Sequence, residues 1–199
     1  MTTLRIHAQS APLAISLPAT SMTREQFYEF CAANRDLRIE RTAAGEVIVM
    51  PPAFSDTGNR NFNISAHLWV WAEQDGTGIG FDSSAGFTLP NGATRSPDSA
   101  WIQLDRWNQL TDGEKASFAP ICPDFVIELR SASDTLRGLQ TKLEEYIANG
   151  ARLGWLIDRK NRTVHIYRPG QEPQVLREPQ QVDGEPELSG FALPMAKIW

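Results

Sequence analysis

Cysteine is scarce in this chain. The two present, Cys31 and Cys122, stand far apart without metal-ligand spacing, which argues against a disulfide framework and against a thiolate metal site. Two reduced thiols fit a cytoplasmic protein, and that location is expected. Histidine is as sparse: His7, His67 and His165 share no ligand spacing. No apolar run approaches the roughly 20 residues of a membrane-spanning helix, and the first residues lack a basic-then-apolar signal pattern, so no membrane association is expected. Positive charge is in deficit. Nineteen Lys and Arg against 24 Asp and Glu leave a net charge of −5, which argues against indiscriminate attraction to nucleic acid or anionic lipid but leaves room for a local basic patch. Gly76, Gly78 and Gly80 lead into no helix, so no phosphate-cradling loop is present. Ser131 and Ser133 sit in no nucleophile elbow, which argues against a serine hydrolase.

What is present is ordinary globular material. The 199 residues are 41% hydrophobic and 22% charged, enough for one domain with a substantial core. We read a single domain over 1–199, with 1–20 as an N-terminal arm and 171–199 as a C-terminal segment closing a sheet edge. In the arm, Leu4–Ile6 and Leu13–Leu17 read as short strands or as a loosely held segment. Thr23 with Gln26 forms a capping box for a helix ending near Asn34. A hairpin follows, Leu37–Arg41 and Glu46–Met50, with Pro51-Pro52 ending its second strand. A helix from Asp56 or Thr57 to about Gln74 is apolar around much of its circumference, so Trp69 and Trp71 could face a second subunit; a homodimer is expected. Strands are expected at Ile79–Phe81, Gly86–Leu89, Asp98–Ile102 and Phe125–Leu129, and a helical segment at Thr111–Ser117. A helix over Thr135–Asn149 is stopped by Gly150. The Leu153–Ile157 and Thr163–Arg168 hairpin precedes weak strands near Gln174–Leu176 and Phe191–Leu193. The order implies an α/β domain with a mixed sheet.

The chemistry concentrates between Ser96 and Asp158. Two strands begin Pro-Asp, at Pro97-Asp98 and Pro123-Asp124. Alternation puts Asp124, Val126, Glu128 and Arg130 on one face of the second strand. Asp124 and Glu128 lie roughly 13 Å apart at the rise of a strand, too far to share one small cation. Asp98 is the better partner for Glu128: on neighbouring strands, two carboxylates can converge on a hard divalent cation. Arg130, always protonated, can hold a phosphate or neutralise an acid but cannot shuttle a proton. Lys142 lies beside Tyr146 on the flank of the helix's buried stripe, where a stem can lie on apolar surface and turn its ammonium into a pocket. Taken singly, each feature has a plainer reading: a strand-start turn, a solvated lysine, a Glu128–Arg130 pair. The basic residues Arg130, Arg137, Lys142, Arg152, Arg159, Lys160 and Arg162 could line a DNA groove or form a surface salt-bridge layer.

Taken together, these residues resemble a known family. Ser96-Pro97-Asp98, the run Pro123 to Ser131, Lys142 to Tyr146, and Gly150 to Asp158 are similar to the Uma-two family, restriction-endonuclease-like proteins of the PD-(D/E)XK nuclease superfamily. The resemblance runs from Glu46–Pro52 to Ile166–Gly170. It implies a restriction-endonuclease-like fold, a mixed β-sheet flanked by helices with antiparallel N-terminal strands and a C-terminal hairpin. It also implies dependence on Mg²⁺ (or Mn²⁺) and hydrolysis of DNA. Asp98 matches the superfamily's central aspartate and Glu128 its second acid. Arg130 stands where the lysine of that element is usual, and Lys142 matches the helical position to which the family moves that lysine. The resemblance thus implies Asp98, Glu128 and Lys142 as catalytic residues, Asp98 and Glu128 as metal ligands, and Arg130 and Tyr146 as substrate-binding. The superfamily often adds an early acid; Glu40 and Glu46 are the candidates, and the sequence does not choose between them. The expected function is a Mg-dependent DNA endonuclease. The alternative is a catalytically inactive nuclease-fold homodimer serving as a DNA- or protein-binding module.

Overall fold

A computed structural model describes residues 13–15, 22–50 and 52–199. The segment Leu4–Ile6, read as a strand or a loosely held arm, and the strand-ending Pro51 lie outside the described residues. Strand β1 (Leu13–Ile15) is followed by helix α1 (Arg24–Ala33), started by the anticipated capping box: Gln26 N donates to Thr23 Oγ1 at 3.2 Å, and Thr23 N to Gln26 Oε1 at 2.8 Å. The hairpin β2 (Arg38–Arg41) and β3 (Val47–Met50) pairs Arg38 with Met50 and Arg41 with Val47.

Helix α2 (Ser55–Asp75) buries Thr57, Asn61, Ile64, Leu68 and Ala72. Their spacing of three and four residues is the single stripe of a one-sided helix. Phe62, Trp69 and Val70, at 73%, 58% and 47% exposure, remain outside that stripe. Trp71 instead turns inward, against Trp101 and Phe191. Strands β4 (Gly78–Asp82), β5 (Phe87–Thr88), β6 (Thr94–Arg95) and β7 (Ser99–Gln103) follow. Then come short helices α3 (Leu104–Asn108) and α4 (Asp112–Lys115), strand β8 (Phe125–Leu129), helix α5 (Leu136–Ala148), and strands β9 (Leu153–Asp158), β10 (Thr163–Tyr167), β11 (Gln174–Arg177), β12 (Gln181–Asp183) and β13 (Ala192–Pro194). The sequence does not announce α3, β6 or β12, which are two to five residues long and carry no periodicity of their own.

The described strands form two principal sheets. One is six-stranded in the order β11-β10-β9-β8-β7-β4. It is mixed, because β8 runs parallel to β9 through the α5 crossover while the other neighbours are antiparallel. The second is antiparallel, β1-β3-β2-β6-β5. Its β2–β6 pairing, Arg41 opposite Thr94, brings the early hairpin against the chain just before Asp98.

The six-stranded sheet is covered on both faces. Val126 and Leu156 pack with Leu143 and Tyr146 of α5. A Cβ on Gly154 would come within 2.6 Å of Leu143 Cδ1, so the glycine lets α5 approach β9 closely. On the other face, Phe125, Ile127, Trp155 and Ile157 pack with Ile64 and Leu68 of α2. The remainder of that face is covered by Val182, Leu188, Phe191, Leu193, Met195 and Ile198, with Phe191 stacked on Trp155 at 5.5 Å. The segment 171–199 therefore does more than close an edge. Only β11 sits at the edge; the rest lies over the sheet, because its apolar side chains complete the cover of the aromatic face.

Candidate active site

The site forms where the two sheets meet. Strand β7 pairs with β8 so that Ser99 stands opposite Ile127; one step further, Asp98 stands opposite Glu128. Both are buried, at 8% and 3% exposure. Asp98 Oδ2 accepts from Leu129 N at 2.9 Å, and Oδ1 accepts from Asn61 Nδ2 at 3.0 Å and lies 3.4 Å from Arg38 NH2. Glu128 Oε1 accepts from the Tyr146 hydroxyl at 3.2 Å and lies 2.8 Å from Lys142 Nζ.

Glu40 joins them from β2. Lys142 Nζ bridges the two glutamates, lying 2.8 Å from Glu40 Oε1 as well. Glu40 also accepts from Ser96 N at 2.9 Å and pairs with Arg95 at 3.2 Å, and Arg95 in turn holds Glu145 at 2.6 Å. Three acids, Glu40, Asp98 and Glu128, thus face three cations, Arg38, Arg95 and Lys142, with Glu145 behind Arg95. All six side chains line one cavity of about 520 Å³, bordered further by Asn61, Ser131, Ser133 and Thr135.

The acids do not titrate alike. Burial pushes the Glu128 carboxyl up to about 7; Lys142 opposes that rise, and the charges of Asp98 and Glu40 add to it. For Glu40 burial also works upward, but Lys142 and Arg95 outweigh it and hold the carboxyl below its ordinary value. Lys142 stays firmly charged: burial alone would lower it, and Glu128 and Glu40 raise it.

The structure brings Asp98, Glu128 and Lys142 together, as the sequence leads one to expect. Tyr146 is fully buried beneath Glu128. It is outside the cavity wall, so it orients the acid and does not reach a substrate from there. Arg130 is also outside the wall. Its guanidinium is engaged by Asp158 at 2.9 Å and the Asp134 carbonyl at 3.3 Å, so the expected phosphate contact is not made by this residue in this arrangement. Of the two early acids, Glu40 is in the cluster; Glu46 sits at the hairpin turn, its N–H donating to Thr42. Asp124 leaves the site as expected, accepting from Gln103 N at 2.9 Å and pairing with Arg106 at 2.7 Å.

Sequence reading misses Arg38, Asn61 and Arg95. Arg38 and Arg95 enter through the β2–β6 pairing, whose partners are more than 50 residues apart in sequence. Asn61 does leave a signal, being a polar residue in the buried register of α2.

The donor set suits a small hard cation. Among the described residues no group of three or more His, Cys, Asp or Glu is placed to hold a metal. Mg²⁺, however, is commonly held by one or two carboxylates, with waters and substrate phosphates completing the shell. Asp98 and Glu128 supply the two carboxylates. Asn61 adds an amide oxygen, Oδ1, that is buried and has no hydrogen-bond partner.

Comparison with known proteins bears on the fold and the family. A crystal structure of a "putative nuclease belonging to DUF820" from Anabaena variabilis matches with a TM-score of 0.70 and 21% identity, covering 89% of this chain and 97% of that one. At that identity the likeness establishes a shared fold. No curated protein matches, and no helix among the described residues is long and apolar enough to cross a membrane. The family model Uma2, described as "Putative restriction endonuclease", matches residues 24–196, and the chain belongs to that family of the nuclease type.

Proposed function

We propose that the chain is a Mg²⁺- or Mn²⁺-dependent endonuclease that hydrolyses DNA phosphodiester bonds. One observation carries the reading: Asp98 and Glu128 stand opposite each other on paired strands with the Lys142 ammonium 2.8 Å from Glu128. Asp98 and Glu128 would hold the cation, which when bound polarises a phosphate and acidifies a water. Lys142 is held charged between Glu40 and Glu128, so its ammonium can orient the attacking water and offset charge developing on the phosphate. Glu40 fixes that ammonium from the second side. Tyr146 fixes the carboxylate of Glu128 through its hydroxyl. The cavity wall of Ser131, Ser133 and Thr135 at the start of α5 supplies hydroxyls beside the acids. Both cysteines are free, which supports the reading of a cytoplasmic enzyme. A homodimer is part of the same proposal: Phe62, Trp69 and Val70 on α2 form an exposed apolar face.

The test is cleavage of plasmid and single-stranded DNA with Mg²⁺ or Mn²⁺, in wild type and Lys142→Met, with Mn²⁺ binding followed by calorimetry in wild type and Glu128→Gln. Cleavage by wild type, its loss in Lys142→Met, and loss of Mn²⁺ binding in Glu128→Gln are expected. Equal cleavage in wild type and Lys142→Met sinks the assignment. Mn²⁺ binding without cleavage points to the inactive binding module.

A further inference from the structure

The three cations of the cluster are not held alike. Arg95 is clamped at two points, 2.6 Å from Glu145 and 3.2 Å from Glu40, with its side chain 10% exposed. Lys142 is bridged at 2.8 Å on both sides. Arg38 is looser. Its contacts to Asp98 Oδ1 are 3.4 and 3.5 Å, its Nε is buried without a partner, and its side chain is 31% exposed to the cavity. Its one short bond is to the Ser96 carbonyl, at 2.9 Å.

Asp98 is also the acid whose outer oxygen is fully engaged. Oδ2 caps Leu129 N, and Oδ1 is shared between Asn61 and Arg38. A divalent cation approaching Asp98 therefore meets a like charge in its place. With Glu145 counted, four acids already face three cations here, so a dication would leave surplus positive charge unless a cation turned away or an anion arrived. One side chain can answer both needs. We infer that Arg38 is a transferable counter-charge: it occupies Asp98 in the metal-free protein, yields that carboxylate to the divalent cation, and swings within the cavity to bind a phosphate of the DNA. A guanidinium suits this exchange, since it offers the same planar fork to a carboxylate and to a phosphate. Asn61 stays behind on Asp98, and its unpartnered Oδ1 is positioned to accept a hydrogen bond from water around the cation.

Metal and DNA should then assist each other. Each pulls Arg38 toward the same rearranged state, and such coupling is reciprocal in the two binding constants. The inference rests on the proposed metal-dependent nuclease reading, and the experiment separates the two. Mn²⁺ binding is measured by calorimetry in wild type and Arg38→Gln without DNA. Binding of a labelled duplex is measured by fluorescence anisotropy with and without Ca²⁺. Arg38→Gln should bind Mn²⁺ about tenfold more tightly than wild type and bind DNA about tenfold more weakly in Ca²⁺, each tenfold corresponding to about 1.4 kcal/mol. In wild type, Ca²⁺ should tighten DNA binding at least about tenfold, and Arg38→Gln should lose most of that gain. Arg38→Lys, which keeps the charge but not the fork, should keep wild-type Mn²⁺ affinity and lose DNA affinity; it carries the test should Arg38→Gln fail to fold. Unchanged or weaker Mn²⁺ binding in Arg38→Gln overturns the inference while leaving the nuclease reading intact. Absence of Mn²⁺ binding in both wild type and Arg38→Gln overturns both.

Discussion

Asp98 and Asp124 begin neighbouring antiparallel strands with the same dipeptide, and the structure uses them in the same way first. Each aspartate lends Oδ2 to a backbone N–H on the adjacent strand, Leu129 N for Asp98 and Gln103 N for Asp124, both at 2.9 Å. Both are buried. The two ends of the β7–β8 pair are therefore finished by one device, a carboxylate closing an otherwise open rung of the ladder. They differ in what surrounds the second oxygen. Asp124 meets Arg106, which is 35% exposed, and nothing else of chemical interest. Asp98 meets Arg38 from β2 and Asn61 from α2, with Glu128 opposite and Lys142 beyond it. A strand-closing acid becomes a candidate metal ligand only at the end where a second sheet and two helices converge on it.

The largest expected effect separates these roles. Asn keeps the oxygen that caps the backbone but removes the charge. Asp98→Asn should stay folded and lose Mn²⁺ binding, with cleavage falling on the order of 10²- to 10³-fold; Asp124→Asn should cleave like wild type. Similar activity in the two variants would erase the distinction. Next is the shared device itself. Asp124→Ala leaves the Gln103 N–H unpaired and should cost about 1–3 kcal/mol of stability, read by denaturant melts, with cleavage retained below the melting point.

A smaller effect appears in pH. The Glu128 carboxyl is raised from 4.5 to about 7, so the folded protein binds a proton there that the unfolded chain has released. The stability this group contributes is present below about pH 4.5 and is lost as pH rises toward 7. Glu40 acts oppositely: its lowered value contributes stability above 4.5 that is lost as pH falls through the lower folded value. Metal-free melts between pH 5 and 8 should decline more in wild type than in Glu128→Gln. Mn²⁺ affinity should rise over the same window as the proton is displaced, measurable as buffer-dependent heat of binding; a flat profile would show that Glu128 is already ionised.

The smallest effects concern residues beside the acids. Tyr146→Phe removes a 3.2 Å bond to Glu128 and should cost no more than about 1 kcal/mol in transition-state stabilisation. Arg130→Gln should leave cleavage unchanged, because Asp158 keeps its bonds to Asn161 Nδ2 at 2.7 Å and Lys160 N at 3.1 Å. A large loss of activity in Arg130→Gln would return that residue to the substrate.

Much of this was legible in the sequence where a signal is local. The capping box at Thr23, the alternation of Phe125 to Leu129, and the flank position of Lys142 each depend on neighbours within a few residues, and each element stands where that logic puts it. The pairing of Asp98 with Glu128 follows from adding only one assumption, that their strands are neighbours. Arg38 and Arg95 were not legible, and Glu40 could not be chosen over Glu46, because a two-residue strand, Thr94–Arg95, has no pattern to read, and its pairing with β2 brings them in. Glu40 also looks like the outward residue of an alternating strand until Arg95, Ser96 and Lys142 close over its carboxylate. The composition of residues 171–199, rich in Pro, Gln and Glu, hides six apolar side chains spaced too irregularly to reveal a period.

Those six side chains have a consequence for synthesis. The aromatic face of the central sheet, Phe125 and Trp155 with their neighbours, is translated before its cover at Phe191, Leu193, Met195 and Ile198. While the ribosome reads the intervening residues, that face has no native partner from the C-terminal segment, and β10 has not received β11. The nascent chain must therefore wait, sheltered or at low concentration, before its fold can close. Because Arg60, the neighbour of Asn61 on α2, takes the carbonyls of Ile198 and Trp199, the segment that covers the sheet also fastens the helix that reaches Asp98.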